Sequence, residues 1–394
     1  MVGVLTASAC AAAVAVGTPA TAAPGAGPLT RSASSLPART VPWHSFVGPS
    51  GALTGPPVRV PGRPGLGGPP PRTAGTAAAL PGTACPAFPA DSIWHADVSR
   101  LPVNPLSAEW LSHMQASTRM LHPDFGPSGG FPYGIPVTVV PHTHATVPVT
   151  FDYASESDQV PYPLGSDTLI EGGPGAGGDR HAIVVDSGTC RLYETWDTRQ
   201  AGSSWLAGSG ATWSLTSDAL RPAGWTSADA AGLAILPGLL RYDEVLAGNV
   251  DHAIRFTTDV TDTSYVWPAR HQAGSVSSSA YPPMGAWFRL RADFPTAGLS
   301  AQTIVVVDAM KKHGLVLADN GSPWFFQGTA DTAWPDALIS QLKTIPASAF
   351  EALDVSSLMV SASSGQVLPP APAPVPGTSP PPCRRYQGRP ASCS

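Results

Sequence analysis

Charge is scarce in this chain of 394 residues. Lys, Arg, Asp and Glu make up 12% of it, with a formal net charge of −5, against the roughly 25% usual for a soluble domain. No Lys/Arg cluster marks a nucleic-acid footprint, and Arg384-Arg385 is too small a patch to grip a phosphate backbone. Also missing are a CxxC pair and a Cys/His spacing that suits zinc. Neither a metal nor any other cofactor is therefore expected. No apolar run is long enough to anchor the chain across a bilayer. The Gly-rich run from Glu171 to Asp179 lacks the Lys-Ser/Thr of a phosphate-cradling loop, and a strand rather than a helix follows it. Gly208-Ser209-Gly210 lacks the Gly-x-Ser-x-Gly of a nucleophile elbow. Internal repeats are absent, and strands do not alternate with long helices, which excludes a doubly wound parallel sheet.

What is abundant is Pro, at 45 residues, and Gly, at 40, and both concentrate at the ends. Residues 1–23 have the short apolar run and small-residue cleavage region of a secretory signal. No Lys or Arg precedes that run, which points to a start upstream of Met1. Residues 24–82 are Pro, Gly, Ala, Ser and Arg, too poor in large apolar groups to offset ordering entropy, so a disordered arm is expected. Residues 366–394 form a Pro-rich tail of the polyproline type. Between them, residues 83–365 are expected to form one globular domain. Ten of the eleven tryptophans lie there, from Trp94 to Trp334. With Cys10 lost alongside the signal, Cys85, Cys190, Cys383 and Cys393 remain. The simplest pairing is Cys85–Cys190, with Cys383–Cys393 closing a terminal loop, and export makes disulfides reasonable.

Short β-branched and aromatic segments separated by Gly, Pro, Asp and Ser predict strands. They fall near Val137–Val140, Val147–Tyr153, His181–Asp186, Arg191–Asp197, His252–Thr258, Tyr265–Arg270, Ala286–Ala292, Gly314–Asp319 and Trp324–Gln327. Helical spacing is confined to Ser107–Met120, Ile304–His313, Trp334–Leu342 and a stretch of Ala228–Gly248 broken at Pro237. The expected fold is mostly β, an antiparallel β-sandwich or jelly roll with short peripheral helices.

The two-residue period of a strand sorts the polar side chains by face. His181 shares a face with Ile183 and Val185, Glu194 with Leu192 and Trp196, His252 with Ile254 and Phe256, and Asp319 with Leu315 and Leu317. His271 ends the run that starts at Val266. Ionisable groups on apolar faces are costly unless paired or used, so His181, Glu194, His252 and His271 are expected to converge in one pocket. Glu194 then serves as acid/base or nucleophile, with Asp179 or Asp319 as second carboxylate. In a lyase, His181, His252 or His271 would abstract the proton while Arg180, Arg255 or Arg270 neutralises a uronate. Trp196 and Trp267 are candidate sugar platforms and Asn320 a candidate binding residue.

Several segments carry a resemblance: Asp179-Arg180-His181, Leu192-Tyr193-Glu194, the run from Leu220 to Leu233, that from Pro237 to Glu244, Asp251 to Phe256, Trp267 to His271 and Ala318 to Ser322. Over about residues 89–350 the chain resembles a group of secreted bacterial proteins of unassigned activity. That resemblance implies an exported single-domain protein and no particular chemistry. The expectation is a secreted, extracellular, monomeric glycoside hydrolase or polysaccharide lyase whose partner is a polysaccharide or cell-wall glycan. A non-catalytic glycan-binding or wall-associated protein is the first alternative. A metal-dependent hydrolase with His181, His252 and His271 as ligands is the second.

Overall fold

Runs of Val, Ile, Leu and aromatic residues at strand spacing build most of the framework. The computed structural model describes residues 79–128, 131–173 and 175–368. The first ten strands are β1 (His122–Asp124), β2 (Gly126–Ser128), β3 (Phe131–Tyr133), β4 (Val137–Val140), β5 (Val149–Phe151), β6 (Ala182–Asp186), β7 (Arg191–Trp196), β8 (Arg199–Ala201), β9 (Ser204–Ala207) and β10 (Ser209–Ser214). The remaining five are β11 (Ile254–Thr258), β12 (Trp287–Leu290), β13 (Leu315–Asn320), β14 (Phe325–Gln327) and β15 (Phe350–Leu353). The α-helices are short: α1 (Ser107–His113), α2 (Tyr242–Ala247), α3 (Ala301–Lys312) and α4 (Asp336–Leu342). The mostly-β expectation is met.

The largest sheet has the order β1-β14-β11-β13-β12-β15, and a second has β10-β7-β6-β4. Most neighbouring strands are antiparallel, but β1/β14, β11/β13, β4/β6 and β5/β9 run parallel. Both large sheets feed one core, in which Trp287, Trp324, Trp334, Phe256, Phe288 and Phe326 are fully buried. Strand alternation is visible in β6, where Ile183 and Val185 enter this core. Val184, on the opposite face, enters a smaller core with Phe151, Tyr162 and Trp205.

Local chemistry explains the helix limits. In α3 the Ser300 side chain accepts from the Thr303 N–H at 3.2 Å, and Lys311 and Lys312 sit in the last turn, where cations suit the helix dipole. The expected helix Ser107–Met120 stops at His113, because Gln115 takes a left-handed backbone at φ 57°. The segment Tyr265–Arg270 is not a strand. It makes a single bridge, Tyr265 to Met284, and Pro268 within it has no N–H for a ladder. At the C-terminal boundary, Gln366 and Val367 bridge to Ser92 and Met359, so the folded core extends past the expected limit of residue 365. At the other end Ala79 already bridges to Pro86. The signal and most of the arm, and Cys383 and Cys393 with nearly all of the tail, lie outside the described residues. Among the described residues no helix is long and apolar enough to cross a membrane.

Cys85 and Cys190 form a disulfide with Cα atoms 5.3 Å apart and a sequence separation of 105. Closing so long a loop restricts the unfolded chain, an effect worth about 4 kcal/mol. The Cys85→Ala/Cys190→Ala protein is expected to lose stability of about that size in urea titration. An unchanged midpoint would contradict the loop-closure account.

Candidate acid–base site

One row of polar residues crosses the large sheet. Asp124 on β1 pairs with Gln327 on β14. Phe326 stands opposite Phe256 on β11, so the antiparallel register sets Gln327 beside Arg255. Residues paired across strands share a face, and this face therefore carries Asp124, Gln327 and Arg255 in line. A β-bulge adds the next member. Arg255 and Phe256 pair with Val316 and Leu317, but Thr257 pairs with Asp319, leaving Ala318 as the extra residue. That insertion takes Asp319 off the face of Leu315 and Leu317, where simple alternation puts it, and onto the face of Arg255 and Thr257.

Two loops complete the group. Asp229 contributes a fully buried carboxylate whose Oδ2 lies 3.3 Å from Arg255 Nε and 3.2 Å from Nη2. Asp319 Oδ2 is 3.7 Å from the same Nη2. His181, just before β6, donates from Nδ1 to Glu171 Oε2 at 2.8 Å and faces the Ala228 carbonyl with Nε2 at 3.2 Å. Arg180 has a left-handed backbone at φ 49°. Its guanidinium donates to the carbonyls of Thr198, Gly173 and Ala176, tying the Gly-rich loop down beside the site. The floor is closed, with Asp229 and Arg255 side chains at 0% exposure, while Asp319 and Glu171 keep 17% and 23%. Water therefore reaches these two carboxylates.

Burial and crowding drive the proton affinities apart. Asp319 is pushed up to about 7 by burial and by the Asp229 charge, with Arg255 opposing. Burial likewise raises Asp229 to about 6 against the pull of Arg255. Asp124 also rises to about 6, through burial and the charges of Glu171 and Asp179, although a hydrogen bond with Tyr133 opposes this. Glu171 goes the other way. Burial would raise it, but the charge and hydrogen bonds of His181 hold it below the usual carboxylate value. Burial opposes the charge on His181 as well, yet Glu171 outweighs it and lifts the imidazole to about 9. Both ring nitrogens face acceptors, as an imidazolium requires.

Aromatic groups lie next to the acids. Trp196 donates from Nε1 toward Asp179 Oδ1 at 3.4 Å and leans on exposed Tyr153 with ring centres 6.3 Å apart. Gly208 permits this: a Cβ there would stand 2.2 Å from the indole. Tyr133, half exposed, stands beside Asp124.

The expected convergence of His181, Glu194, His252 and His271 is not what the structure shows. Glu194 is completely buried behind the site, and its carboxylate accepts from Ile235 N at 3.0 and 2.9 Å and from Leu236 N at 2.8 Å. It anchors a turn rather than facing a ligand. His252 belongs to a separate buried group, with Nδ1 donating to Ala253 O and Nε2 3.0 Å from Glu244, which also pairs with Arg241. His271 is held by the Ala230 carbonyl at 2.8 Å and stands 3.7 Å from Glu156. The three histidines of the metal reading are thus each bound to different partners. Arg180 and Arg270 are committed to carbonyls, the latter to Arg221 and Ala362, so neither is free to clamp a uronate. Trp267 donates to Ser364 O, and Asn320 bonds with Ala273 O and Thr261. Asp179, His181, Arg255, Asp319 and Trp196 are the expected residues that meet.

Asp124, Tyr133, Glu171, Asp229 and Gln327 join them without having been singled out from the sequence. Periodicity carried no mark for Asp229, which lies in a loop, or for Asp124 in the short His-Pro-Asp strand. For Glu194 a clear result is expected. Glu194→Ala leaves two buried N–H groups without an acceptor, costing about 2–4 kcal/mol, whereas Glu194→Gln keeps an oxygen for both and costs less than half as much. Denaturant midpoints check this, and equal losses for the two variants would contradict it.

No family model matches the chain, and neither a curated protein nor a solved structure shows detectable similarity to it.

Proposed function

We propose that this is an exported glycoside hydrolase working through the carboxylates around Arg255. What supports the reading is that two partly exposed carboxylates flank the same buried cations, Asp319 3.7 Å from Arg255 and Glu171 2.8 Å from His181, with the first pushed up toward neutrality and the second held below the usual carboxylate value. Environments that push two carboxyl groups apart in this way suit one for proton donation and the other for base or nucleophile duty. Asp319 would protonate the glycosidic oxygen as the C–O bond breaks. Glu171, fixed by His181, would activate the incoming water or attack the anomeric carbon. Trp196 and Tyr153 supply an apolar platform of the kind sugar rings favour.

A hydrolase fits better than a lyase. His181 is charged at neutral pH and cannot accept a further proton, and of the arginines proposed to neutralise a uronate, Arg180 and Arg270 are spent on carbonyls while Arg255 is fully buried against Asp229. The test is reducing-sugar release from neutral, amine-bearing and acidic polysaccharides, with and without chelator. Turnover of at least one polymer, insensitive to chelator and lost in Asp319→Asn, is expected. Chelator-sensitive turnover, or turnover that survives Asp319→Asn, would refute the assignment.

A further inference from the structure

Beyond the acids lies a second aromatic group that the chemistry above does not use. It is built on Arg221, which is buried and donates from all three guanidinium nitrogens: Nε to Thr226 O, Nη1 to Asp158 Oδ2 and Nη2 to Glu156 O, each at 2.7 Å. Those bonds occupy the plane of the guanidinium and leave its faces to aromatic rings. The cation stands over two indoles, 5.7 Å from the ring centre of Trp213 and 5.5 Å from that of Trp225. Trp213 is buried, whereas Trp225 is partly exposed. The backbone fixes Trp225 as well. Its N–H donates to Pro222 O at 3.2 Å across a tight turn, and Gly224 takes φ 84°, as the third position of a type II turn requires. Gly224 N is in turn tied to Arg270 O at 2.7 Å.

Successive contacts join this ring to the acid–base site. Thr226 N, next in the chain to Trp225, donates to Glu156 Oε2 at 3.1 Å. The same oxygen stands 3.7 Å from His271 Nε2, and both of these side chains are partly exposed. Glu156 closes the 3-10 turn Ala154–Glu156, which starts from Tyr153. Tyr153 leans on Trp196, and Trp196 reaches Asp179.

Resting on the hydrolase reading, we infer that Trp225 is a second sugar platform, flanked by Glu156 and His271, and that the substrate is a neutral polysaccharide gripped away from the bond that is cut as well as beside it. A pyranose has an apolar face of C–H groups edged by hydroxyls. The face suits a flat indole, and an indole already held in place loses little freedom when a ring settles on it. The hydroxyls both donate and accept, which matches a carboxylate beside an imidazole nitrogen. His271 Nδ1 is bonded to Ala230 O at 2.8 Å, so Nε2 is the nitrogen turned toward Glu156. A uronate would set its charge against Glu156, while Arg221 and Arg270 are already bonded to the protein.

The experiment is affinity electrophoresis of the full chain through native gels containing hydroxyethylcellulose, arabinoxylan, galactomannan or polygalacturonate. At least one neutral polymer is expected to retard the parent protein, and polygalacturonate is not. Trp225→Ala should weaken that binding by about tenfold, the loss of one well-seated aromatic contact, and Trp225→Phe should keep most of it. Should Trp225→Ala unfold, fluorescence decides: the retarding polymer changes tryptophan emission in the parent, and that change should shrink in Trp225→Phe. Retardation by no neutral polymer, retardation confined to polygalacturonate, Trp225→Ala bound as tightly as the parent, or an emission change undiminished in Trp225→Phe would overturn the inference. The two readings separate cleanly. Trp225-dependent binding of a polymer that is never cleaved defeats the hydrolase alone, and Asp319-dependent cleavage of a polymer that Trp225→Ala binds as well as the parent defeats this inference alone.

Discussion

Under the proposed hydrolase activity, Asp319→Asn is expected to lower kcat by about 100- to 10,000-fold, the range that a lost general acid removes, while leaving the protein folded. The amide cannot release a proton to the leaving oxygen, but it matches the carboxyl group in shape and avoids burying a charge. In the parent protein the rate should fall as pH rises through about 7, because that is where Asp319 gives up its proton. Stability carries a second signature. The native state binds this proton more tightly than the unfolded chain, so unfolding free energy decreases between about pH 4 and pH 7 as the unfolded chain ionises first. Asp319→Asn abolishes that part of the slope and should be as stable as the parent, or more so, at pH 7. A variant with parental kcat would remove Asp319 from the mechanism.

The largest stability loss is expected at the second buried ionic group, outside the proposed chemistry. Arg241, Glu244 and His252 are all buried, and Glu244 stands between the two bases, with burial and the adjacent Arg241 charge pushing the His252 imidazole toward its neutral form. Arg241 then has Glu244 as its ion-pair partner, contacting Oε1, with other guanidinium nitrogens left without acceptors. Glu244→Gln strands a buried guanidinium, and removing one member of a buried pair typically costs about 3–5 kcal/mol. The double variant Glu244→Leu/Arg241→Met removes both charges and should recover much of that loss. Urea titration of the three proteins decides it. A double variant no better than the single would show that packing, not charge, dominates there.

Much of the framework was legible because it rests on apolar period. Val137–Val140 and the central strands through Val184, Phe256 and Leu317 follow β-branched and aromatic runs that have few other conformations open to them. Cys85–Cys190 was legible from the cysteine count together with the expectation of export. The site was legible only in part. Strand alternation correctly set Glu194 on the core side with Leu192, but it could not reveal that Ile235 and Leu236 would offer their N–H groups there. A charged residue facing a core therefore served as an anchor rather than as chemistry. His252 was misplaced for a related reason, because its partner Glu244 arrives from a helix that no strand pattern describes. Asp124, Glu171 and Asp229 are brought in by short or irregular segments, whose contacts are decided by tertiary packing.

The position of Asp319 depends on Ala318 being surplus to the ladder. Reading frame within a strand is usually thought of as a matter of stability, yet here one unpaired alanine decides which side of the sheet an acid occupies. Were Ala318 drawn into the ladder opposite Thr257, every strand would stay in place, Asp319 would turn to the interior and Asn320 would take its station. One residue of register thus decides between an acid and an amide at that station, with no change in architecture to betray it.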